Sequence, residues 1–147
     1  MYKHILIPTD GSAASERAIA AGIALARVLG ARVTGFHAAP PAVPLVLGKQ
    51  LARAYMSRDE RENAIEQAAA RYLGVIGRAA ARAGVACGTM HVTSDFPADA
   101  ILEAARSRKC DLVVMASHGR HGLAAMLLGS ETQKVLTHAR IPVLVHR

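Results

Sequence analysis

The chain has 147 residues, of which 52% are hydrophobic and 20% are charged, so it fits one folded domain and is not a disordered chain. The net charge is +7, but the arginines are spread over three predicted helices with acidic residues between them. Because only three Tyr and two Phe are available to stack on bases, we expect mainly solvated helix surfaces. Binding of nucleic acid through the basic surface is the weaker alternative and would depend steeply on salt.

The first predicted element is a strand over residues 3–8 (KHILIP). Its apolar run stops at Thr9-Asp10-Gly11-Ser12, a pattern typical of a buried strand that turns into a helix, with Ser12 as the N-cap. Residues 13–29 carry apolar side chains at helical spacing, and Gly30 then follows. The sequence therefore opens with a strand, a tight turn and a helix.

A second strand is predicted over residues 32–38 (RVTGFHA), which are rich in β-branched and aromatic side chains. Residues 40–56 begin with prolines and predict an irregular connection. Residues 58–83 are rich in Ala, Glu, Gln and Arg and predict a long helix that ends at Gly84. A third strand is predicted over residues 85–92.

The last third of the chain repeats the alternation. A helix over residues 97–107 is opened by Asp95 and Pro97, and residues 111–116 (DLVVMA) predict a strand that is apolar on both faces. A helix over residues 130–139 and a strand over residues 141–146 follow. Five strands alternating with four helices predict an α/β fold, a doubly wound parallel sheet with helices on both faces, Rossmann-like.

Two loops at the carboxyl ends of strands are candidates for a ligand site, since ligands of such sheets bind where the strand order reverses. One loop is residues 8–12 and the other begins at Ala116-Ser117-His118-Gly119. Gly129-Ser130-Glu131-Thr132 opens the next helix, where free N–H groups, the helix dipole and two hydroxyl groups suit a phosphate. Asp10 could accept hydrogen bonds from a ribose, so an adenosine nucleotide would bridge both loops.

The same residues also admit a purely structural interpretation. Ser130 and Gln133 match a capping box, which would satisfy the helix end without a ligand. Asp10 and Ser12 would likewise serve as caps of the first helix. His118 and His121 could be a metal pair, but zinc needs more ligands than these two and no Cys or acidic partner is near in sequence. We therefore expect loop histidines and no metal.

The chain resembles the universal stress protein (UspA-like) family from end to end. The resemblance is carried by the strand followed by PTDGS, by DLVVMASHGR, and by GLAAMLLGSETQKVLTHARIPVLVHR. It implies one domain over residues 1–147, a five-stranded parallel sheet of order 3-2-1-4-5, and ATP, with or without Mg²⁺, held by Gly-x-x-Gly-(nine residues)-Gly-Ser/Thr. That motif falls on Ala116, Gly119, Gly129 and Ser130, with alanine in place of the first glycine.

The resemblance implies a nucleotide site on twelve residues. They are Pro8, Thr9, Asp10, Ala38, Met115, Ala116, His118, Gly119, Gly129, Ser130, Glu131 and Thr132. Alanine at position 116 costs roughly 1–2 kcal/mol if its φ must be positive, and only one extra methyl group if the backbone there is extended. The carboxylate of Glu131 is compatible with phosphate only if its side chain turns outward.

We expect a homodimer through the last strand, because Val143, Leu144 and Val145 are too apolar for an exposed sheet edge. The family resemblance implies the same dimer. The alternative is that Pro142 alone protects this edge of the sheet.

No catalytic residues are predicted, since no pattern of a nucleophile with its base is present; slow ATP hydrolysis would be incidental. The first hypothesis is an ATP-binding stress-response protein, and the second is an interaction module of the same family that binds no nucleotide.

The remaining features of the sequence bear on where in the cell the protein resides and on the state of its two cysteines. The longest apolar run, residues 18–26, is far shorter than the roughly 20 residues of a membrane span, and no secretory signal is recognised at the start. We therefore expect a cytoplasmic protein without contact with a membrane. Cys87 and Cys110 are far apart in sequence and are expected to be reduced thiols near the core.

Overall fold

The computed structural model describes residues 1–41, 56–119 and 128–147, and over these residues it has five strands and four helices. The strands are β1 (His4–Pro8), β2 (Arg32–Ala39), β3 (Cys87–Thr93), β4 (Leu112–Ala116) and β5 (Val143–His146). The helices are α1 (Ala13–Leu29), α2 (Arg58–Ala83), α3 (Pro97–Ser107) and α4 (Ser130–His138). Most of the predicted connection 40–56 lies outside the described residues.

The five strands form one parallel sheet in the order β3-β2-β1-β4-β5. The predicted doubly wound α/β fold and its strand order are therefore confirmed. Strand β1 lies in the middle, and the chain winds away from it in one direction through β2 and in the other through β4. The carboxyl ends of β1 and β4 consequently flank the position where the strand order reverses.

Strand β1 divides the core into two halves. Ile5 and Ile7 pack under α1 and α2, whereas Leu6 packs under α3 and α4. Successive side chains of a strand point to opposite faces, and helices cover both faces of this sheet. The three residues after His4, ILI, are therefore apolar at every position instead of alternating, as in a strand that is buried on both faces.

Two strand boundaries were predicted two residues too early. The N–H of Val85 donates to the carbonyl of Ala80 at 2.9 Å, behind Gly84 with its φ of +68°, so Val85 closes α2 and β3 begins at Cys87. At the other strand, Pro142 has no N–H to donate, and β5 begins only at Val143. The remaining element boundaries agree with the prediction within one residue.

The amino edge of the sheet carries a buried histidine. His4 is 7% exposed and its Nε2 lies 2.8 Å from the hydroxyl of Thr34. Burial, together with the positive charge of Arg32, lowers the pKa of His4. The carboxylate of Asp111 accepts the N–H groups of Lys3 and His4 at 2.8 and 3.0 Å; its partial burial raises its pKa, but these bonds outweigh burial and the net pKa is lowered.

Both cysteines are free thiols. Cys110 is buried and Cys87 is half-buried. Burial raises the pKa of both, and that of Cys110 to about 11, so neither thiol ionises readily at neutral pH. In the described part of the chain, none of the helices is both long enough and apolar enough to cross a membrane.

Candidate functional site

A cavity of about 420 Å³ opens at the carboxyl edge of the sheet. It lies above the ends of β1, β2 and β4 and is closed on one side by the first turns of α3 and α4. All twelve residues predicted to form the site line this one cavity, although they come from four separate stretches of sequence. The geometry thus brings the predicted residues together without itself showing a ligand.

The loop after β1 is held in place by main-chain and side-chain bonds. The N–H of Thr9 donates to the carbonyl of Phe36 at 2.8 Å, and the Asp10 carboxylate accepts the N–H of Ser12 at 3.0 Å. Ser12 is the N-cap of α1, since its hydroxyl accepts the N–H of Ser15 at 3.1 Å. Ser12 therefore caps α1 as predicted, whereas the cap predicted for Asp10 is wrong: its carboxylate bonds the N–H of Ser12, which precedes the helix, and this bond orients Asp10 at the cavity.

Two glycines provide space where the loops meet. A side chain at position 119 would collide with the Asp10 carboxylate. A Cβ at position 129 would lie 3.1 Å from the Cα of His118, and the N–H of Gly129 donates to the carbonyl of Ser117 at 2.7 Å. Gly129 has φ −69° and ψ 155°, angles that any residue adopts, so this glycine is required for close approach and not for backbone strain.

The first turn of helix α4 does not contain the predicted capping box. Its N-cap is Gly129, with no side-chain cap bond, and Ser130 is already the first helical residue. The capping box of Ser130 and Gln133 is therefore wrong, because Gln133 N–H bonds the carbonyl of Gly129 instead, at 3.0 Å. The main-chain N–H groups of Ser130, Glu131 and Thr132 precede this first intrahelical bond, so they belong to the end of the helix that attracts anions.

Thr132 can offer a ligand its main-chain N–H but not its hydroxyl proton. Its side chain is buried, and Oγ1 donates to the carbonyl of Ala116 at 3.0 Å. A hydroxyl group has one proton to donate, so the prediction that Thr132 supplies a hydroxyl donor to phosphate is wrong. The bond instead ties the first turn of α4 to the last residue of β4, which fixes this end of the cavity.

Glu131 turns toward α3. One carboxylate oxygen accepts the N–H of Ala98 at 2.9 Å, and the other accepts from Lys134 at 2.8 Å. Asp95 was expected to open α3, but the N-cap is Phe96 and it makes no side-chain bond. Glu131 therefore caps α3 from another helix, while its side chain still lines the cavity.

The alanine at the first motif position carries no backbone strain. Ala116 is the last residue of β4 and pairs with His146 of β5, so its backbone is extended. Its methyl group packs with Ala14 and Ala18 of α1. Of the two costs weighed from the sequence, only the smaller one applies.

Of the two histidines considered as a metal pair, one lies at the cavity. His118 lines the cavity, and its Nδ1 lies 3.0 Å from the Ser117 hydroxyl. His121 lies outside the described residues. Over the residues that are described, no group of three or more His, Cys, Asp or Glu side chains is arranged to hold a metal ion.

Sequence reasoning missed six residues that also line the cavity: Ser15, Phe36, His37, Pro40, Pro97 and Ile101. Of these, His37 is the most informative. It is buried, and its Nδ1 donates to the carbonyl of Thr9 at 2.8 Å. Its ring makes a T-shaped contact with the ring of Tyr72, with the two ring centroids 5.1 Å apart. Its position at the end of β2, beside the predicted Ala38, is a signal that could have identified it.

A second groove of about 650 Å³ runs between α1 and α2. It is lined by aliphatic side chains, including Val28, together with Arg27 and Arg82. Its lining residues all belong to the two helices, and it offers few polar groups that could orient a ligand, so the cavity at the carboxyl edge is the better candidate.

Comparison with known proteins gives consistent results. The profile of the universal stress protein family matches residues 1–147. The universal stress protein of the QAH/OAS sulfhydrylase 3' region of Thermus aquaticus is 37% identical over 147 residues, which is the whole of both chains. Among solved structures, the hypothetical protein MJ0577 superimposes with a TM-score of 0.80 at 26% identity, covering 99% of this chain and 95% of that one.

Two further solved structures carry nucleotides. A universal stress protein in complex with cAMP matches with a TM-score of 0.70 at 23% identity, covering 99% of this chain and 97% of that one. A universal stress protein of Archaeoglobus fulgidus in complex with dAMP matches with a TM-score of 0.66 at 19% identity, covering 99% and 98%. At these identities the likeness shows a common fold.

Proposed function

The chain belongs to the universal stress protein family, and from this premise we propose that it binds an adenine nucleotide at the carboxyl ends of β1 and β4. The preferred ligand in this proposal is ATP accompanied by Mg²⁺. Binding in the cytoplasm alters a dimer or partner surface in the response to stress, and the protein is not an enzyme; slow hydrolysis of ATP would be incidental to this role.

The observation that carries the proposal is the convergence of the twelve residues on one cavity. Its volume lies within the range of about 300–1,000 Å³ that is usual for small-molecule sites. The first turn of α4 offers main-chain N–H groups to a phosphate, and Gly129 leaves the main chain accessible. Across the cavity, Asp10 is positioned by Ser12 to accept hydrogen bonds from a ribose.

The choice of adenine is supported by the two neighbours of the same fold that hold cAMP and dAMP. Mg²⁺ would enter with the phosphates, because the described residues provide no cluster of three ligands and Mg²⁺ is commonly held by substrate phosphates with few carboxylates. Asp10 and Glu131 are the two carboxylates among the described residues that line the cavity.

The dimer of this proposal pairs β5 with its copy across a two-fold axis. Strand β5 is at the edge of the sheet, and Leu144 in its centre is 39% exposed between Val143 and Val145. An apolar edge strand of this kind is protected when it pairs with a second copy. Light scattering should give twice the monomer mass for the native chain and the monomer mass for Leu144→Lys.

The second candidate function, an interaction module without a nucleotide, is favoured by one observation. The two charged groups of fixed sign among the described lining residues, Asp10 and Glu131, are both acidic and would oppose a phosphate. This alternative is weakened at two other points, since the Ser130 capping box does not form and Ala116 is unstrained.

Calorimetric titration of nucleotide-stripped protein with ATP and Mg²⁺ separates the two functions. The proposal predicts saturable binding to the native chain and none to Gly119→Val, whose side chain would displace the Asp10 carboxylate. Gly88→Ala is the matched control, because a Cβ at this strand glycine meets no atom within 4 Å. The absence of heat and of thermal stabilisation in the native chain would favour the interaction module.

A further inference from the structure

The described residues that line the cavity include two carboxylates and no group with a fixed positive charge. Among its described lining residues, Asp10 and Glu131 are acidic and no lysine or arginine is present. A nucleotide with several phosphates would therefore enter without a fixed cation from these residues to balance it. The placement of Glu131 is the more consequential of the two, because it lies on the helix whose first turn would meet the phosphates.

Glu131 is the second residue of α4, and its carboxylate also caps α3 through the N–H of Ala98. It thus stands between the N-terminal ends of two helices, and the positive potential of both ends acts on it. Lys134 balances part of this charge at 2.8 Å from the solvent side, where the side chains of Lys134 and Glu131 are 58% and 36% exposed and their interaction is screened. The negative charge of Glu131 therefore offsets part of the positive potential that would attract a ligand anion.

We infer that Glu131 is a specificity-determining residue that selects adenine ligands by their phosphate charge. This inference rests on the proposed function. Adenosine is uncharged, so the Glu131 carboxylate does not repel it from the cavity. Each phosphate charge that is added to the ligand is repelled by this carboxylate. Uncomplexed ATP is disfavoured most, and Mg²⁺ relieves the repulsion by neutralising part of the phosphate charge.

The test compares the dissociation constants of adenosine and ATP, both measured in EDTA, for the native chain and three variants. Glu131→Gln removes the charge but keeps an amide oxygen that can accept from Ala98. Glu131→Ala removes both the charge and the cap. Glu103→Gln changes the net charge equally on α3, at an exposed pair with Arg106 that does not line the cavity.

We expect Glu131→Gln to tighten ATP by about tenfold, which is the size of a partly screened charge interaction over a few ångströms, and to leave adenosine within about twofold. Glu131→Ala should change the ratio of the two constants equally, and Glu103→Gln should not change it. A purely structural cap predicts the opposite result, with the ratio altered by neither substitution at position 131.

Two outcomes would overturn the inference, and they are distinguishable. If ATP and adenosine bind but Glu131→Gln leaves their ratio unchanged, or if Glu103→Gln changes it as much, Glu131 does not select by charge and the proposed function stands. If no adenine ligand binds the native chain with or without Mg²⁺, the proposed function fails and the inference fails with it.

Discussion

The hydroxyl of Thr132 donates to the carbonyl of Ala116 across 3.0 Å, and this bond joins the first turn of α4 to the end of β4. Both residues are buried, so water does not replace either partner when the bond is lost. The end of β4 and the first turn of α4, which both line the cavity, are thereby fixed relative to each other.

Thr132→Val should lower the free energy of unfolding by about 1–3 kcal/mol, because it removes the hydroxyl that donates to the buried carbonyl of Ala116 at nearly constant volume. Urea denaturation measures this change. Thr132→Ser keeps the hydroxyl and should retain more of the stability than valine does. Equal losses in the two variants would contradict the role assigned to the bond.

Gly129→Ala should weaken nucleotide binding and cost about 1–3 kcal/mol in stability, because its new Cβ approaches the Cα of His118 and a main-chain atom cannot rotate away. The measurements are calorimetric affinity for ATP with Mg²⁺ and the urea midpoint. Gly88→Ala, with open space around its Cβ, should have little effect on binding. Native affinity in Gly129→Ala would show that the contact is not limiting.

Two glycines inside helices should respond oppositely to alanine. Gly77 of α2 has no atom within 4 Å of its Cβ position, so Gly77→Ala should raise the free energy of unfolding by about 0.5–1 kcal/mol. Gly22 of α1 is buried, with Ile7 at 2.7 Å and Val114 at 3.3 Å from its Cβ position, so Gly22→Ala should destabilise the fold. Thermal unfolding of both variants tests the pair, and a shift of equal sign would be contrary to the packing described.

Stability should decrease as the pH falls through about 6.5, the ordinary pKa of histidine. The pKa of His4 is lowered in the folded state, so the unfolded chain binds more protons over the interval between the two pKa values, and the folded state is favoured above it. Urea midpoints measured from pH 7.5 down to pH 5 check this, with His4→Gln expected to flatten the dependence.

Most of the fold could be predicted because its signals are local. The apolar runs HILIP and LVVMA identify buried central strands, and Gly30 and Gly84 mark the ends of two helices. The errors arise where a neighbouring residue decides the outcome. Val85 resembles a strand residue, but its N–H is used to close α2.

The candidate site was also largely predictable, since its residues follow strand ends and glycines whose positions the sequence reveals. The hydrogen bonds within the site were not predictable from the sequence. Ser130 and Gln133 have the spacing of a capping box, yet Gly129 takes the cap position because its main chain bonds Ser117. The contact of Glu131 with Ala98 joins residues 33 positions apart, and no local pattern indicates it.

The most direct test of the central claim is an amide NMR titration of isotopically labelled, nucleotide-stripped protein with ATP and Mg²⁺. Binding at the proposed site predicts that the amide signals of Gly119, Ser130 and Glu131 shift saturably, while those of Ala24 and Ala79 in the groove between α1 and α2 stay in place. An unchanged spectrum, or shifts confined to that groove, would contradict the assignment of a nucleotide to the carboxyl ends of β1 and β4.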